Sequence, residues 1–248
     1  MAKMITMTFP ELPYAVEEAL NRLRINIKFC GKNTKKILVD SAVENEGKSV
    51  VSVHLWKMLA EAGFSTVLVD TDLRKSNLQD RLDFKCDEEL KGVDHYISGN
   101  AEYEDVIYHT NIENADIIPV ANILENPSAM FEDPRLKELF DELSENYRYI
   151  IVDAPPLINV SDGAQIGSLC DGAILVVAAG ETPKTLVRQS MKQLEHIDCN
   201  LLGIVLNRTK NSGHSYYKGY GKYGKYSAYG SYGYGVKKED TKEATSKA

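Results

Sequence analysis

Apolar residues first recur at helical spacing in residues 14–29 of the chain. Val16, Leu20, Leu23 and Ile27 share one face there, and polar side chains occupy the opposite face. A stripe of this kind is typical of a helix that packs one side against a core. The pattern therefore predicts an amphipathic opening helix over these residues.

Beyond this helix, short apolar runs alternate with helical patterns. The predicted strands are 36–40, 66–70, 116–120, 149–153, 173–178 and 201–207. The predicted helices are 48–61, 135–143 and 183–196. Several of the strands are continuous apolar runs, as in a parallel sheet covered by helices on both faces. We therefore predict the α/β class, with an open, doubly wound and mostly parallel sheet.

The periodicity ends after residue 210. The following stretch consists mostly of Gly, Lys and Ser, and within it stand eight tyrosines: Tyr216, Tyr217, Tyr220, Tyr223, Tyr226, Tyr229, Tyr232 and Tyr234. From Asn211 onward, seven Lys against three acidic residues make this segment about +4, which leaves about -11 of the total of -7 on the rest. We predict one domain, residues 1–210, and a disordered tail, residues 211–248, that is attracted to it.

Composition argues against a membrane-spanning, secreted or metal–thiolate protein. A chain of 248 residues with 43% hydrophobic residues can bury a full core. Its longest apolar runs are too short to cross a bilayer, and the N-terminus has no apolar stretch of the kind found in signal peptides, so we expect a cytoplasmic protein. The cysteines form no C-x-x-C pair, which favours reduced thiols over a zinc or iron–sulfur site. We expect no nucleic-acid partner.

The segment ILVDSAVENEGKSV, residues 37–50, has the order of strand, tight loop and helix that a phosphate-binding loop requires. The predicted nucleotide-binding residues of this loop are Asn45, Glu46, Gly47, Lys48, Ser49 and Val50. Lys48 would neutralise the β- and γ-phosphates, and Ser49 would offer its hydroxyl to Mg²⁺. The general motif has Gly where this chain has Ala42, so the alternative is a surface turn with an exposed lysine.

Two further segments, VLVDTDLR and YIIVDAPP, place carboxylates at the ends of apolar strands. Asp70 and Asp72 follow the first strand, and Asp153 ends the second. Because ligands bind at the carboxyl ends of parallel strands, these residues are expected to meet at the phosphate loop. With Lys48 they form the predicted catalytic set, and with Ser49 the carboxylates of Asp72 and Asp153 form the predicted metal site. Taken alone, Asp-Thr-Asp is more often a solvated turn.

This combination of segments and tyrosine tail resembles the bacterial tyrosine kinases of capsule and exopolysaccharide synthesis, whose domain is similar to the P-loop NTPases of cell division and partition. The resemblance extends from about Glu17 to the C-terminus. It implies that the three segments bind MgATP and that the tail tyrosines are autophosphorylated. It also implies a ring-shaped homo-oligomer when unphosphorylated, and a membrane-spanning activator that recruits the kinase to the inner face of the membrane.

The chain departs from the family pattern in two places. The family loop reads Pro-Gly-x-Gly-Lys-Ser-Thr, so Asn45 must supply a positive φ in place of Gly, and Val50 has no hydroxyl for the α-phosphate. We expect weakened ATP binding. The Glu-x-x-Arg-x-x-Arg pattern of the family's opening helix, which joins subunits, is here Glu18, Asn21 and Arg24. Asn207 is similar to the residue that reads adenine in related ATPases, although a turn or capping role explains it as well.

The function that these patterns favour is phosphoryl transfer from ATP to tail tyrosines of a neighbouring subunit, with Asp70 or Asp72 receiving the phenolic proton. A nucleotide-gated scaffold of a polysaccharide assembly complex, with the tail as an adhesive segment, is the alternative. A partition-type ATPase is a third reading, but it leaves the tyrosines without a role. We also expect tail phosphorylation to loosen the oligomer, since each phosphate adds negative charge.

Overall fold

The computed structural model describes residues 3–158 and 161–209, all within the unit Met1–Thr209. The eight tail tyrosines lie outside the described residues. The domain boundary at residue 210 and the disorder of the tail stay predictions.

The described residues form one eight-stranded sheet in the order β1-β4-β5-β3-β6-β2-β7-β8. The strands are β1 (Met4–Ile5), β2 (Lys36–Ser41), β3 (Thr66–Asp70), β4 (Tyr108–Thr110), β5 (Ala115–Ile118), β6 (Tyr149–Asp153), β7 (Gly172–Ala178) and β8 (Asn200–Asn207). Neighbouring strands are parallel except β4 and β5, which are antiparallel. The predicted mostly parallel sheet is confirmed.

Helices cover both faces of this sheet. They are α1 (Tyr14–Phe29), α2 (Lys48–Glu61), α3 (Leu78–Arg81), α4 (Val93–Ile97), α5 (Tyr103–Val106), α6 (Pro134–Asn146), α7 (Asp162–Gly167) and α8 (Lys184–His196), with a 3₁₀ turn at Met130–Glu132. None of these helices combines the length and the apolar character that crossing a bilayer requires.

Every helix and strand predicted from the sequence is present, and the ends shift by at most three residues. The pattern did not predict β1, β4, α3, α4, α5 and α7. These elements have two to six residues, which is too short for a hydrophobic period to be visible.

Strand β6 lies between β2 and β3 in the sheet, although it follows both of them in the chain. Its last residue, Asp153, pairs with Val39 of β2 and with Asp70 of β3. Because the three strands are parallel, their carboxyl ends meet at one edge of the sheet. The three segments singled out in the sequence are brought together by this insertion.

The core consists of two layers, one on each face of the sheet. In β2, Ile37 and Val39 pack into the layer that contains α1 and α2, and Leu38 packs into the opposite layer. Helix α2 contacts both α1 and the sheet, so it is apolar on most sides, with Leu55 and Trp56 fully buried. The helix that follows the loop at residues 42–47 is therefore held firmly between α1 and the sheet.

The opening helix α1 spans the predicted residues. Leu20 and Ile27 are buried, Leu23 is half-buried and Val16 is 41% exposed. The core thus covers the predicted apolar face wholly or partly at Leu20, Leu23 and Ile27, and leaves it exposed at Val16.

The burial of α6 allows a direct test of the core. Phe140 on this helix is fully buried, whereas Phe29 at the end of α1 is 82% exposed. Phe140→Ala should lower the free energy of unfolding by about 3–5 kcal/mol, because it removes a ring and leaves a cavity. Phe29→Ala should change it by less than about 0.5 kcal/mol. Urea unfolding of the two variants measures both values, and equal costs would contradict the placement of the two rings.

Candidate nucleotide-binding site

A cleft opens at the carboxyl ends of β2, β3 and β6. The predicted site residues that line it are Asn45, Gly47, Lys48, Ser49, Asp72 and Asp153. The lining residues that were not in the predicted set are Glu44, Arg74, Lys75, Ser76, Asn77, Arg81, Pro155 and Pro156. Glu46, Val50, Asp70 and Asn207 do not line the cleft.

The turn between β2 and α2 depends on two residues with a left-handed backbone. Asn45 has a φ of 64° and Gly47 has a φ of 99°. The expectation that Asn45 supplies a positive φ is confirmed. Gly47 is needed for a second reason, because a Cβ atom there would clash with Nδ2 of Asn207. The loop therefore turns tightly with a single glycine.

The Glu46 side chain points into the protein and anchors the loop. The residue is 1% exposed. Its Oε2 accepts a hydrogen bond from the Val43 backbone N–H at 2.9 Å, and its Oε1 accepts from the Ala178 N–H at 3.0 Å and from the Thr182 hydroxyl. Glu46 can offer a ligand its backbone, but its carboxylate is committed to holding the loop against the end of β7.

Two residues at the end of β8 hold the loop from another side. Asn207 Nδ2 donates to the Glu46 carbonyl at 2.8 Å, and Asn207 Oδ1 accepts from the Arg208 N–H at 2.8 Å. The Arg208 guanidinium donates to the Asn45 carbonyl and to Oε2 of Glu181, the latter at 2.6 Å. Both polar atoms of the Asn207 amide are thus engaged within the chain, and its role in reading adenine stays a prediction.

Helix α2 begins at Lys48, directly beside the cleft. The Val51 N–H donates to the Gly47 carbonyl at 3.1 Å. The N–H groups of Lys48, Ser49 and Val50 precede this first bond, so the helix provides no acceptor for them. Together with the positive end of the helix dipole, such groups attract anions. The loop has the geometry expected of a phosphate site.

The Lys48 ammonium lies among carboxylates at the base of the cleft. It donates to Asp72 Oδ2 at 3.2 Å, lies 3.8 Å from Asp153 Oδ1, and is 3.4 Å from the Ser49 hydroxyl. Burial alone would lower the pKa of Lys48, but the charges of Asp153, Asp72, Asp40 and Asp70 outweigh it and raise the pKa above its ordinary value. The lysine remains a cation at any physiological pH.

Two of the carboxyl groups around Lys48 have raised pKa values. Burial, followed by the charge of Asp153, raises the pKa of Asp70 to about 7. Burial also raises the pKa of Asp40 well above its ordinary value, and Oδ2 of Asp40 has no hydrogen-bond partner among the described residues. Asp40 and Asp70 therefore hold a proton more readily than ordinary aspartates do, because four carboxyl groups surround the Lys48 ammonium.

Asp153 and Asp70 are oriented by neighbouring hydroxyl groups. Asp153 Oδ1 accepts from the Ser52 hydroxyl at 2.9 Å, and Asp70 accepts from the Ser76 hydroxyl and, at 3.1 Å, from the Asp72 N–H. Asp70 is 1% exposed and lies behind Asp72 as seen from the cleft lining. Of the two candidate bases, Asp72 is the one that faces the cleft.

The arginine of LVDTDLR fixes a second loop to the site, and the sequence analysis missed it. Arg74 Nε donates to Asp162 Oδ2 at 2.7 Å, and its Nη2 donates to the Ser128 hydroxyl at 2.9 Å. Ser128 in turn donates to Asp162 Oδ1 at 2.7 Å. The available signal was an arginine two residues after the paired aspartates, but its partners are more than 50 residues away in the chain.

The predicted oligomerisation residues lie on α1. Within this helix, Arg24 donates to Asn21 Oδ1 through Nε at 3.1 Å and through Nη2 at 2.7 Å. Asn21 therefore binds the arginine of the same chain. Glu18, Asn21 and Arg24 as subunit contacts stay a prediction.

Known proteins are similar to this chain in sequence and in fold. A family model described as an AAA domain matches residues 34–198. The tyrosine-protein kinase CpsD of Streptococcus agalactiae is 38% identical over 200 residues, which are 81% of this chain and 86% of that protein. The chain belongs to the bacterial tyrosine-protein kinase family. Membership places it among the protein-tyrosine kinases, as the sequence resemblance implied.

Solved structures agree with this assignment. The kinase domain of the Escherichia coli tyrosine kinase ETK matches with a TM-score of 0.70 at 27% identity, covering 81% of this chain and 79% of that one. The septum site-determining protein MinD of Pyrococcus horikoshii, solved in complex with Mg-ADP, matches with a TM-score of 0.61 at 26% identity over 72% of each chain. The predicted P-loop NTPase fold is confirmed.

The role of Gly47 can be tested against a matched glycine. Gly31 has a similar φ of 102°, but no described atom lies within 4 Å of the Cβ it would gain. Either glycine replaced by alanine should lose about 1–2 kcal/mol of stability, because alanine resists a left-handed backbone. Gly47→Ala should lose more, since the Asn207 amide must also move, and it should weaken binding of a fluorescent ATP analogue at least tenfold.

Gly31→Ala is the control and should leave nucleotide affinity within twofold. Adding Asn207→Ala to Gly47→Ala removes the clashing atom and should recover part of the lost stability. Unfolding and nucleotide titrations on the same samples measure both effects. Equal behaviour of the two glycine variants would mean that the contact with Asn207 does not shape the loop.

Proposed function

We propose that this chain binds MgATP in the cleft and transfers the γ-phosphoryl group to tyrosines at positions 216–234 of a neighbouring copy. The supporting observation is the Lys48 ammonium, held at the N-terminus of α2 between Asp72 and Asp153. A fixed cation beside free helix N–H groups is suited to the charge that develops on a transferring phosphoryl group. The broader role is regulation of capsular or exopolysaccharide synthesis, in which the family resemblance places such kinases.

The cleft also suits a magnesium ion that arrives with ATP. The oxygens of Ser49, Asp72 and Asp153 are of the type that Mg²⁺ prefers, and the carboxylates at the base of the cleft exceed the one lysine. Mg²⁺ usually takes one or two protein carboxylates and completes its shell with phosphate and water. These three residues would hold it, and it would neutralise charge on the β- and γ-phosphates.

Asp72 is the proposed base. It faces the cleft, while Asp70 is buried behind it and accepts the Asp72 N–H, so Asp70 positions Asp72. In the transfer step the phenolic oxygen forms a bond to the γ-phosphorus as the bond to the bridging oxygen breaks. ADP leaves with that electron pair, and the phenolic proton passes to Asp72. Lys48 stays protonated and binds the phosphate oxygens throughout.

Transfer between copies is compatible with the length and charge of the tail. The 22 residues from Asn211 to Tyr232 span up to about 70 Å when extended, enough to reach a neighbouring molecule. The tail is about +4 and the remainder about -11, which favours approach before phosphorylation. A membrane-spanning activator and release of the oligomer after phosphorylation complete the proposal.

Lys48→Met is the first test of this function. It removes the fixed cation and should abolish phosphotyrosine formation in the tail, measured as steps in intact mass after incubation with MgATP, with and without a phosphatase. Lys137→Met, at an exposed position on α6 and paired with Asp141, is the matched control and should behave as the unchanged chain does. Normal phosphorylation of the Lys48 variant would contradict the proposed phosphotransfer function. Binding of ATP without any added mass in the unchanged protein would favour a nucleotide-gated scaffold.

The two neighbouring aspartates separate the role of base from the role of support. Asp72→Asn should lower kcat on a tyrosine peptide by about 10²–10⁴, the usual contribution of a general base. Asp70→Asn keeps an oxygen for the Asp72 N–H and should lower kcat by about tenfold or less. Single-turnover rates at saturating MgATP compare the variants. A larger loss for Asp70→Asn would assign the base to Asp70 instead.

A further inference from the structure

A second, apolar pocket of about 150 Å³ adjoins the cleft. The two share Ser49 and Arg81, so the pocket opens towards the position proposed for the phosphates. Its size matters, because an apolar protein cavity of about 150 Å³ is large enough to bind a benzene ring. Neither the proposed binding of MgATP nor the proposed transfer step requires this pocket.

Three segments of the chain form the pocket walls. The first turns of α2 contribute Val50 and Val53, the segment before α1 contributes Leu12, and α3 with the residue that follows it contributes Leu78 and Leu82. Val50 is the residue that stands where the family has a threonine, and its side chain lines this pocket instead of the cleft. The departure that removes a hydroxyl from the phosphate site thus adds an apolar surface here.

The segment before α1 is fixed in place, so the pocket is preformed. The Thr8 N–H donates to the Leu82 carbonyl at 2.8 Å, and the Phe9 ring lies 6.3 Å from the His54 ring, centroid to centroid. Burial, with the nearby Lys57 charge, lowers the pKa of His54, which keeps this wall of the pocket uncharged at neutral pH. The polar groups are at the opening, where Ser49 and Arg81 meet the cleft.

We propose that this pocket holds the ring of the acceptor tyrosine, with its hydroxyl directed towards the cleft at Ser49 and Arg81. The proposal rests on the phosphotransfer function given above and names the subsite for its substrate. An apolar wall with polar groups at one end matches a phenol, which has an apolar ring and a single polar end. Arg81 makes no ion pair with any described residue, so its guanidinium is available at this opening.

The tail sequence of a second copy suits this pocket in two respects. Tyr220 and Tyr223 are each followed by glycine, so no bulky neighbour prevents the ring from entering. Lysines such as Lys222 recur between the tyrosines, whereas exposed acidic residues, Glu11 and Asp80, lie in the segments that form the pocket walls. The opposite charges favour this segment over an apolar peptide.

The test fills the pocket while leaving the proposed ATP site intact. Leu12→Trp, at a half-buried position in the wall, should raise the KM for a peptide with the sequence of residues 221–230 at least tenfold, and should leave the Kd of a fluorescent ATP analogue within twofold. Ile123→Trp, at a position that is 54% exposed outside the pocket, is the matched control and should leave both values unchanged. An unchanged peptide KM in a folded Leu12→Trp protein would overturn the proposal.

A binding experiment separates failure of this proposal from failure of the proposed function. In the full-length chain, p-cresol should shift the methyl NMR signals of Val50 and Val53, and it should bind at least threefold more tightly than toluene because of its hydroxyl. Leu12→Trp should abolish these shifts. Absence of shifts, or equal binding of toluene, would refute the phenol site even if the chain is a kinase. If the shifts occur but the unchanged full-length chain does not phosphorylate the peptide, the phenol site is retained and the phosphotransfer function fails.

Discussion

The Lys48 ammonium lies among four carboxylates, those of Asp40, Asp70, Asp72 and Asp153, at the carboxyl ends of three parallel strands. Burying one cation with four acids is unfavourable unless some of the acids stay protonated or another cation joins them. The raised pKa values of Asp40 and Asp70 are the direct result. The remaining geometry of the cleft follows from this cluster, because Lys48 is oriented by Asp72 and Asp153, and Asp72 is in turn supported by Asp70.

The phosphate loop shows how a glycine-poor sequence keeps a tight turn. Asn45 accepts a left-handed backbone, Glu46 ties the loop to β7, and Asn207 and Arg208 bond to its carbonyl groups from the end of β8. Each of these bonds supplies from elsewhere in the fold a restraint that the loop sequence lacks. The cost is that Glu46 and Asn207, both expected to serve the nucleotide, are engaged in holding the loop.

The first turn of α2 links the cleft to the apolar pocket beside it. Val50, where the family pattern has a threonine, has no hydroxyl to offer the nucleotide, and its methyl groups line the apolar pocket instead. Phosphate recognition and recognition of an aromatic acceptor would then be adjacent on a single helix terminus. That arrangement places reacting groups close together without a separate substrate domain, and fixed proximity is itself a large part of catalysis of a transfer reaction.

Much of this protein could be predicted from its sequence. The period of its apolar residues identified every helix and strand longer than six residues, and the strand-loop-helix order placed Lys48 and Ser49 at the start of a helix beside the cleft. These are local properties, and the hydrophobic period and the helix terminus are both encoded within about 15 neighbouring residues. The tertiary structure decided the rest: that β6 inserts between β2 and β3, that Asp72 and not Asp70 faces the cleft, and that Arg74 binds Asp162 and Ser128. Those outcomes depend on contacts between residues far apart in the chain, which no local pattern records.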